Sequence, residues 1–121
     1  MQESRIVRDT REYIHRIGGR SIKIQGSGAC VGEPDLIFCV AGQFFAWEAK
    51  IPGAPYRVPR RKWKNYPEYM RKWLALGCEV SQADCLEEWK DAGASVGVFH
   101  SVDEIREGII RAVGHEITMR T

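Results

Sequence analysis

The sequence predicts an α/β fold, a small mixed β-sheet with a central hairpin flanked by helices in the order αβββαβα. Three observations support this prediction. The first 17 residues carry apolar side chains at helical spacing. Two apolar segments near the middle of the chain are separated by a short turn, as in a β-hairpin. Further on, a Val- and Phe-rich segment lies between two segments that begin like helices.

Length and composition are typical of one soluble globular domain. The chain has 121 residues, 44% hydrophobic and 28% charged, which excludes disordered and fibrous classes. We predict a single domain over 1–121 with a basic, aromatic insertion at about 51–80.

No apolar run approaches the roughly 18 residues that span a bilayer, so no membrane anchor or signal peptide is expected. The four cysteines lack C-x-x-C spacing, which favours reduced thiols in a cytoplasmic protein.

The opening segment predicts a helix followed by a strand. Apolar residues recur at helical spacing over 3–17, and Gly18-Gly19 follows as a stop signal. Residues 21–25 alternate in polarity and predict a short strand. The glycine-rich stretch 26–32 is typical of a flexible turn, here on the approach to the candidate site described below.

The central segment predicts a hairpin and then a long loop. Residues 36–40 and 44–50 are strand-like and flank Ala41-Gly42-Gln43, a spacing that suits a hairpin. Residues 51–67 contain four prolines and no sustained period, so we expect a loop that turns helical from Pro67 onward.

The last third predicts a helix, a strand and a helix. Ser81 with Asp84, and Ser101 with Glu104, have nearly the spacing of a capping box and predict two helix starts. Residues 94–100 between them predict a strand.

Two carboxylates and a lysine are predicted to meet at one end of the hairpin. Alternate residues of a strand share a face, so Glu48 and Lys50 project together, and Asp35 can reach them from the partner strand. Converging carboxylates repel unless a cation lies between them, and such oxygen ligands suit Mg²⁺ or Mn²⁺. Lys50 can hold an attacking hydroxide or neutralise charge on a phosphorane, so the set predicts a phosphodiester hydrolase. The alternative is a turn aspartate beside an edge-strand ion pair.

Several motifs along the chain match a known family. They are Glu3, Gly18-Gly19, Lys23, Gly32-Glu33-Pro34-Asp35, Phe45-Ala46-Trp47-Glu48-Ala49-Lys50, Ser81-Gln82, and Gly93-Ala94 leading to Ser101-Val102-Asp103-Glu104. With them the chain resembles the virus-type replication-repair nuclease (VRR-NUC) family of the PD-(D/E)xK nuclease superfamily, except in the basic insertion. The resemblance implies a restriction-endonuclease-like core.

The resemblance also implies roles for individual residues. Asp35, Glu48 and the Ala49 carbonyl would be metal ligands, and Lys50 would be the catalytic lysine. Gln82 would be the glutamine of the helix after the core hairpin.

Two of the implied site residues have other interpretations. Helix geometry places Glu3 inside the apolar stripe, where it could close the metal site or be a frayed terminal residue favoured by the helix dipole. Gln82 shares a face with apolar neighbours and could serve the site, cap its helix or be a satisfied core glutamine.

Positive charge is concentrated in the insertion. Residues 56–73 carry a net charge of +6, whereas the remainder of the chain carries −4. The basic residues are Arg57, Arg60, Arg61, Lys62, Lys64, Arg71 and Lys72. Interleaved aromatic residues could stack on unpaired bases beside these phosphate-binding side chains, which predicts DNA binding. Alternatively, Trp63, Tyr66 and Trp73 pack as a small helical satellite, and the two interpretations are compatible.

The predicted function is a Mg²⁺- or Mn²⁺-dependent DNA endonuclease that selects branched DNA and resembles Holliday-junction resolvases. A small domain offers little surface for reading bases, which favours recognition of shape. The resemblance implies a homodimer acting in DNA repair in a bacterial or phage-infected cell. The alternatives are a sequence-specific restriction-type endonuclease, a catalytically silent DNA-binding module, and an interaction protein unrelated to nucleic acid.

Overall fold

The computed structural model describes residues 2–24 and 32–119, with side chains from residue 5 onward. Its elements in chain order are α1 (Gln2–Arg16), β1 (Arg20–Lys23), β2 (Leu36–Val40), β3 (Gln43–Ala49), a 3₁₀ helix (Arg60–Asn65), α2 (Glu68–Ala75), α3 (Val80–Asp91), β4 (Ser95–Phe99) and α4 (Val102–Val113). Of the predicted turn at 26–32, all but Gly32 lies outside the described residues. Within those described ranges, no helix is both long enough and apolar enough to cross a membrane.

The four strands form one mixed sheet in the order β1-β2-β3-β4. The β1–β2 and β2–β3 pairs are antiparallel, and the β3–β4 pair is parallel. Ala41 and Gly42 close the β2–β3 hairpin with positive φ angles of 50° and 79°, the conformation of a two-residue hairpin turn. The predicted mixed sheet with a central hairpin is confirmed. Because β3 and β4 are parallel, Lys50 and His100 follow them at the same edge of the sheet.

The sheet is covered on both faces. Successive side chains of β3 point alternately into the two hydrophobic cores. Phe45 and Trp47 point to the core formed with α1 and α4. The other face packs against α2 and α3 through Leu74 and Leu86. Glu48, between Trp47 and Ala49, therefore projects toward the α3 face.

One helix was absent from the predicted order, which becomes αβββααβα. Helix α2 lies in the proline-rich insertion and begins directly after Pro67, as the proline suggested. Met70, Trp73 and Leu74 are buried on one face of this helix, and burial of that face stabilises an element too short to be stable alone. This long-range packing is not visible in the local pattern.

The capping prediction for α3 was wrong by two residues. The helix begins at Val80, and the backbone N–H of Glu79 donates to Gln82 Oε1 at 2.9 Å in a capping box. The helix begins before Ser81 because the Gln82 side chain satisfies the N–H of the N-cap residue Glu79. The cap of α4 is as predicted, with the Ser101 hydroxyl accepting the N–H of Glu104 at 3.3 Å.

Candidate active site

Asp35 and Glu48 are fixed to one another across the β2–β3 hairpin. The backbone N–H of Asp35 donates to Glu48 Oε1 at 3.0 Å. In the other direction, the backbone N–H of Ala49 donates to Asp35 Oδ2 at 2.8 Å. Each carboxylate thus accepts a hydrogen bond from a backbone N–H at, or next to, the other acid. This reciprocal arrangement brings two acids together at the end of the hairpin, as strand alternation predicted.

The burial of Glu48 disfavours the ionised form of its carboxyl group. Its side chain is 3% exposed. The pKa of Glu48 is raised from 4.5 to about 9, chiefly by burial and then by the neighbouring Asp35 carboxyl, whereas Lys50 opposes the shift. A cation beside the two carboxylates would offset this cost, and their hard oxygen atoms match the preference of Mg²⁺ or Mn²⁺. The donor set therefore fits a divalent ion.

Lys50 links the two acids to α3. Its Nζ lies 3.7 Å from Glu48 Oε2 and donates a hydrogen bond to Gln82 Oε1 at 2.9 Å. The side chain is 12% exposed, so these contacts lie largely out of water. The same Gln82 oxygen accepts the N–H of Glu79. Gln82 therefore caps α3 and also contacts Lys50.

The described structure brings together five predicted site residues: Asp35, Glu48, Ala49, Lys50 and Gln82. Glu3 belongs to α1, but its side chain lies outside the described residues. Over the part of the chain with described side chains, no group of three His, Cys, Asp or Glu residues gathers as a metal cluster. Asp35 and Glu48 thus supply two carboxylates to the candidate site.

Two residues near Lys50 were not predicted. Cys78 is fully buried; burial raises the pKa of its thiol to about 12, with Lys50 opposing, so it stays protonated. His100 lines a cavity of about 250 Å³ together with Lys50, and its Nδ1 lies 3.0 Å from the Glu104 carboxylate. His100 lies near Lys50 because β3 and β4 are paired in parallel. Local sequence patterns do not specify this pairing, so the position of His100 could not be predicted from them.

The basic side chains of the insertion are exposed, but some of them already have partners. Arg57 forms an ion pair with Glu79 at 2.7 Å, and Lys72 forms one with Glu87 at 3.2 Å. Arg71 donates to a backbone carbonyl. Among the described residues, no carboxylate lies within 4.0 Å of four others, Arg60, Arg61, Lys62 and Lys64.

The aromatic residues of the insertion divide into two groups. Trp73 is buried, and Trp63 and Tyr66 pack against the same core cluster, as the satellite interpretation proposed. Tyr56 and Tyr69 are about half exposed, 48% and 47%, and keep surface for stacking.

The comparison with solved structures agrees with the fold described above. No family model and no curated protein matches the sequence. A solved structure described as a VRR_NUC domain aligns with a TM-score of 0.60 and 21% identity, over 90% of this chain and 95% of that chain. The chain has the VRR-NUC fold. The predicted resemblance is confirmed at the level of the fold, and the alignment covers nearly the whole VRR-NUC domain.

Proposed function

We propose that this protein is a divalent-metal-dependent DNA endonuclease that hydrolyses phosphodiester bonds. The observation that carries the proposal is the reciprocal hydrogen bonding of Asp35 and Glu48, with the Lys50 ammonium group 3.7 Å from Glu48. Two carboxylates and an ammonium group at one strand end suit attack of water on a phosphodiester. The VRR-NUC fold supports the same assignment.

In this proposal Asp35 and Glu48 hold Mg²⁺ or Mn²⁺, with the Ala49 carbonyl and Glu3 as further ligands. When bound, such an ion supplies Lewis acidity toward a phosphate oxygen and lowers the pKa of a coordinated water. Glu48 must then be ionised, although burial favours its protonated form without an ion. Metal binding is therefore coupled to release of a proton from Glu48.

Lys50 carries the fixed positive charge of the site. Its ammonium group can stabilise the negative charge that develops on the phosphate oxygens, and burial strengthens this interaction. Gln82 holds Nζ in place through an uncharged acceptor, so this contact orients the positive charge of Lys50 without itself neutralising it. We assign Lys50 as a catalytic residue and Gln82 as a positioning residue.

The proposed substrate is branched DNA, as for a Holliday-junction resolvase. The exposed cations of the insertion can contact phosphates, and the exposed rings of Tyr56 and Tyr69 can stack on unpaired bases. A homodimer would place two sites on two strands of a four-way junction. The proposed setting is DNA repair in the cytoplasm.

A cleavage assay tests this proposal. Labelled four-way junction, flap, single-stranded and plain duplex DNA are incubated with the protein in Mg²⁺, Mn²⁺ or EDTA. We expect metal-dependent cutting of the junction by wild type and by Lys90→Ala, a matched loss of one exposed lysine on α3. Lys50→Ala should bind junctions but lower kcat by about 100- to 1,000-fold.

Other results would select other functions. Cutting of plain duplex at one short sequence would identify a restriction-type enzyme. Binding without cutting under either metal would identify a silent DNA-binding module. Equal cutting by wild type and Lys50→Ala would contradict the assigned site.

A further inference from the structure

A second basic surface lies between α1 and β1, outside the insertion. It is a groove of about 1090 Å³ with Val7 and Gly19 among its lining residues. Its charged lining consists of Arg5, Arg8, Arg11, Arg20, Lys23 and Glu12. This part of the chain belongs to the remainder that carries net negative charge. Residues 5–23 nevertheless contain six basic and two acidic residues, a net charge of +4, and folding gathers five of these cations around one groove.

Most of the groove cations have no acidic partner. Within the described residues, no carboxylate lies within 4.0 Å of Arg5, Arg11, Arg20 or Lys23. The groove's acid, Glu12, is paired with Arg16 at 3.3 Å, and Arg8 contacts Asp9 at 3.4 Å in an exposed pair. Exposed pairs of this kind contribute little and exchange readily for other ions. The groove therefore presents excess positive charge to solvent.

The groove has a defined geometry. Arg11 Nε donates to the Ser21 hydroxyl at 3.1 Å, which fixes its guanidinium between the helix and the strand. Arg5, Arg8 and Arg11 recur every three residues and share one side of α1. With a rise of 1.5 Å per residue, Arg5 and Arg11 lie about 9 Å apart along the axis, which is comparable to about three steps along a DNA strand.

One lining residue of the groove, Lys23, lies next to a backbone contact with Asp35 of the candidate site. Lys23 ends β1, and the next residue, Ile24, donates its N–H to the Asp35 carbonyl at 2.9 Å. The groove runs along the β1 edge of the sheet, whereas the insertion packs with α3 beside β3 and β4. The candidate site lies where β2 begins and β3 ends. In the strand order β1-β2-β3-β4 it is therefore placed between the groove and the insertion.

We propose that the α1–β1 groove binds the phosphate backbone of a DNA arm that flanks the cleaved bond. The inference rests on the proposed nuclease function and extends it, because the substrate then contacts both the insertion and the groove. A substrate held at two sides of the site fits DNA with two arms better than a single short strand. Binding to the groove is electrostatic and independent of base sequence.

The test is a binding measurement without cleavage. The double variant Arg5→Gln/Arg20→Gln removes two exposed groove charges that have no carboxylate within 4.0 Å among the described residues, and it leaves Lys23 and the site residues intact. Its control, Lys90→Gln/Arg111→Gln, removes two exposed charges from other helices. Fluorescence anisotropy in EDTA gives the Kd for a labelled four-way junction and for duplex DNA over a series of salt concentrations. Cleavage of the same junction in Mg²⁺ is measured in parallel.

We expect the groove variant to bind the junction about tenfold more weakly at moderate salt. The slope of log Kd against log salt should fall by roughly 1 to 2, because each lost phosphate contact reduces it by about 0.9. The control should match wild type in both quantities. Equal affinity and slope for the groove and control variants would overturn the inference, as would a wild type that binds no DNA at low salt. Loss of binding in the groove variant, with no cutting by wild type, would support the groove and contradict the nuclease proposal.

Discussion

Lys50 Nζ donates a hydrogen bond to Gln82 Oε1 at 2.9 Å, which joins the end of β3 to the first turn of α3. The same oxygen satisfies the N–H of Glu79 at the N-terminus of α3. One side chain thus caps a helix and orients the ammonium group beside Glu48. This dual role connects the folding of α3 to the geometry of the candidate site.

Replacing Gln82 tests this positioning role. Gln82→Ala should lower kcat by about 10- to 100-fold with little change in KM, because a hydrogen bond to a charged group contributes about 1.5–3 kcal/mol. Gln82→Glu keeps an oxygen acceptor for Lys50 but adds a negative charge that offsets the ammonium group, so its kcat should also fall below that of wild type. Junction cleavage under saturating and limiting substrate measures both constants.

The loss of the cap must be separated from the loss of orientation. Gln82→Ala should also lower the free energy of unfolding by about 1 kcal/mol, so activity is measured well below its Tm. Ser81→Ala, one position away, is the matched control and should leave kcat unchanged. A kcat for Gln82→Ala equal to that of this control would rule out the positioning role.

The raised pKa of Glu48 predicts that the stability of the folded protein depends on pH. Its pKa is raised from 4.5 to about 9, so the folded state holds its proton more tightly than the unfolded state. The corresponding stability is fully present below pH 4.5 and is lost as pH rises toward 9, with a slope of at most ~1.4 kcal/mol per pH unit. Glu48→Gln removes this loss. In EDTA, the Tm of wild type should fall below that of the variant as pH increases from 5 to 9.

A divalent ion gives a second readout of the same residue. At pH 8, added Mg²⁺ or Mn²⁺ should raise the Tm of wild type and of Glu88→Gln, an exposed control on α3, but should raise that of Glu48→Gln much less. Thermal unfolding monitored by circular dichroism measures these shifts. Equal metal-induced shifts in all three proteins would remove Glu48 from the proposed ligand set.

Local patterns predicted the parts of the site that depend on adjacent strands. Strand alternation and a two-residue turn are sufficient to bring Asp35 near Glu48 and Lys50, because antiparallel pairing acts over a short length of chain. The turn chemistry at Ala41 and Gly42 fixes that pairing. This is why the hairpin and the acid pair were predictable before the structure was known.

Other features depend on packing between distant segments, which local sequence patterns do not specify. Helix α2 is stabilised by the core that it joins, and the pairing of β4 with β3 brings His100 beside Lys50. The groove cations come from two elements, with Arg11 on α1 and Arg20 on β1. Summing the charge over the whole chain outside the insertion hides this cluster, although residues 5–23 alone carry a net charge of +4.

Close packing of α4 against Trp47 requires a residue without a side chain at Gly108. A Cβ at this position would lie 2.5 Å from Trp47 Cη2, far inside van der Waals contact. Gly108→Ala gains up to about 1 kcal/mol of helix propensity, but overpacking a buried position costs about 1–3 kcal/mol. We expect a net decrease in Tm, measured by calorimetry. Glu107→Ala, exposed on the same helix, is the control, and a Gly108→Ala protein as stable as this control would contradict the expected clash.

The contacts within the insertion predict unequal contributions to DNA binding. Arg61 and Lys62 have no carboxylate within 4.0 Å among the described residues, whereas Arg57 is paired with Glu79 at 2.7 Å. A phosphate can bind the first two directly but must compete with Glu79 for Arg57. Arg61→Gln/Lys62→Gln should therefore reduce the salt slope of binding by roughly 1 to 2 for every DNA structure tested.

The comparison variant for the insertion is Arg57→Gln/Lys72→Gln, which removes the same net charge from two ion-paired residues. Lys72 contacts Glu87 at 3.2 Å, so both deleted cations are already partly neutralised. This variant should reduce the salt slope by less than one. Anisotropy titrations in EDTA with junction and duplex DNA give the slopes. If the two double variants change the slope equally, ion pairing does not determine which cations of the insertion contact phosphate.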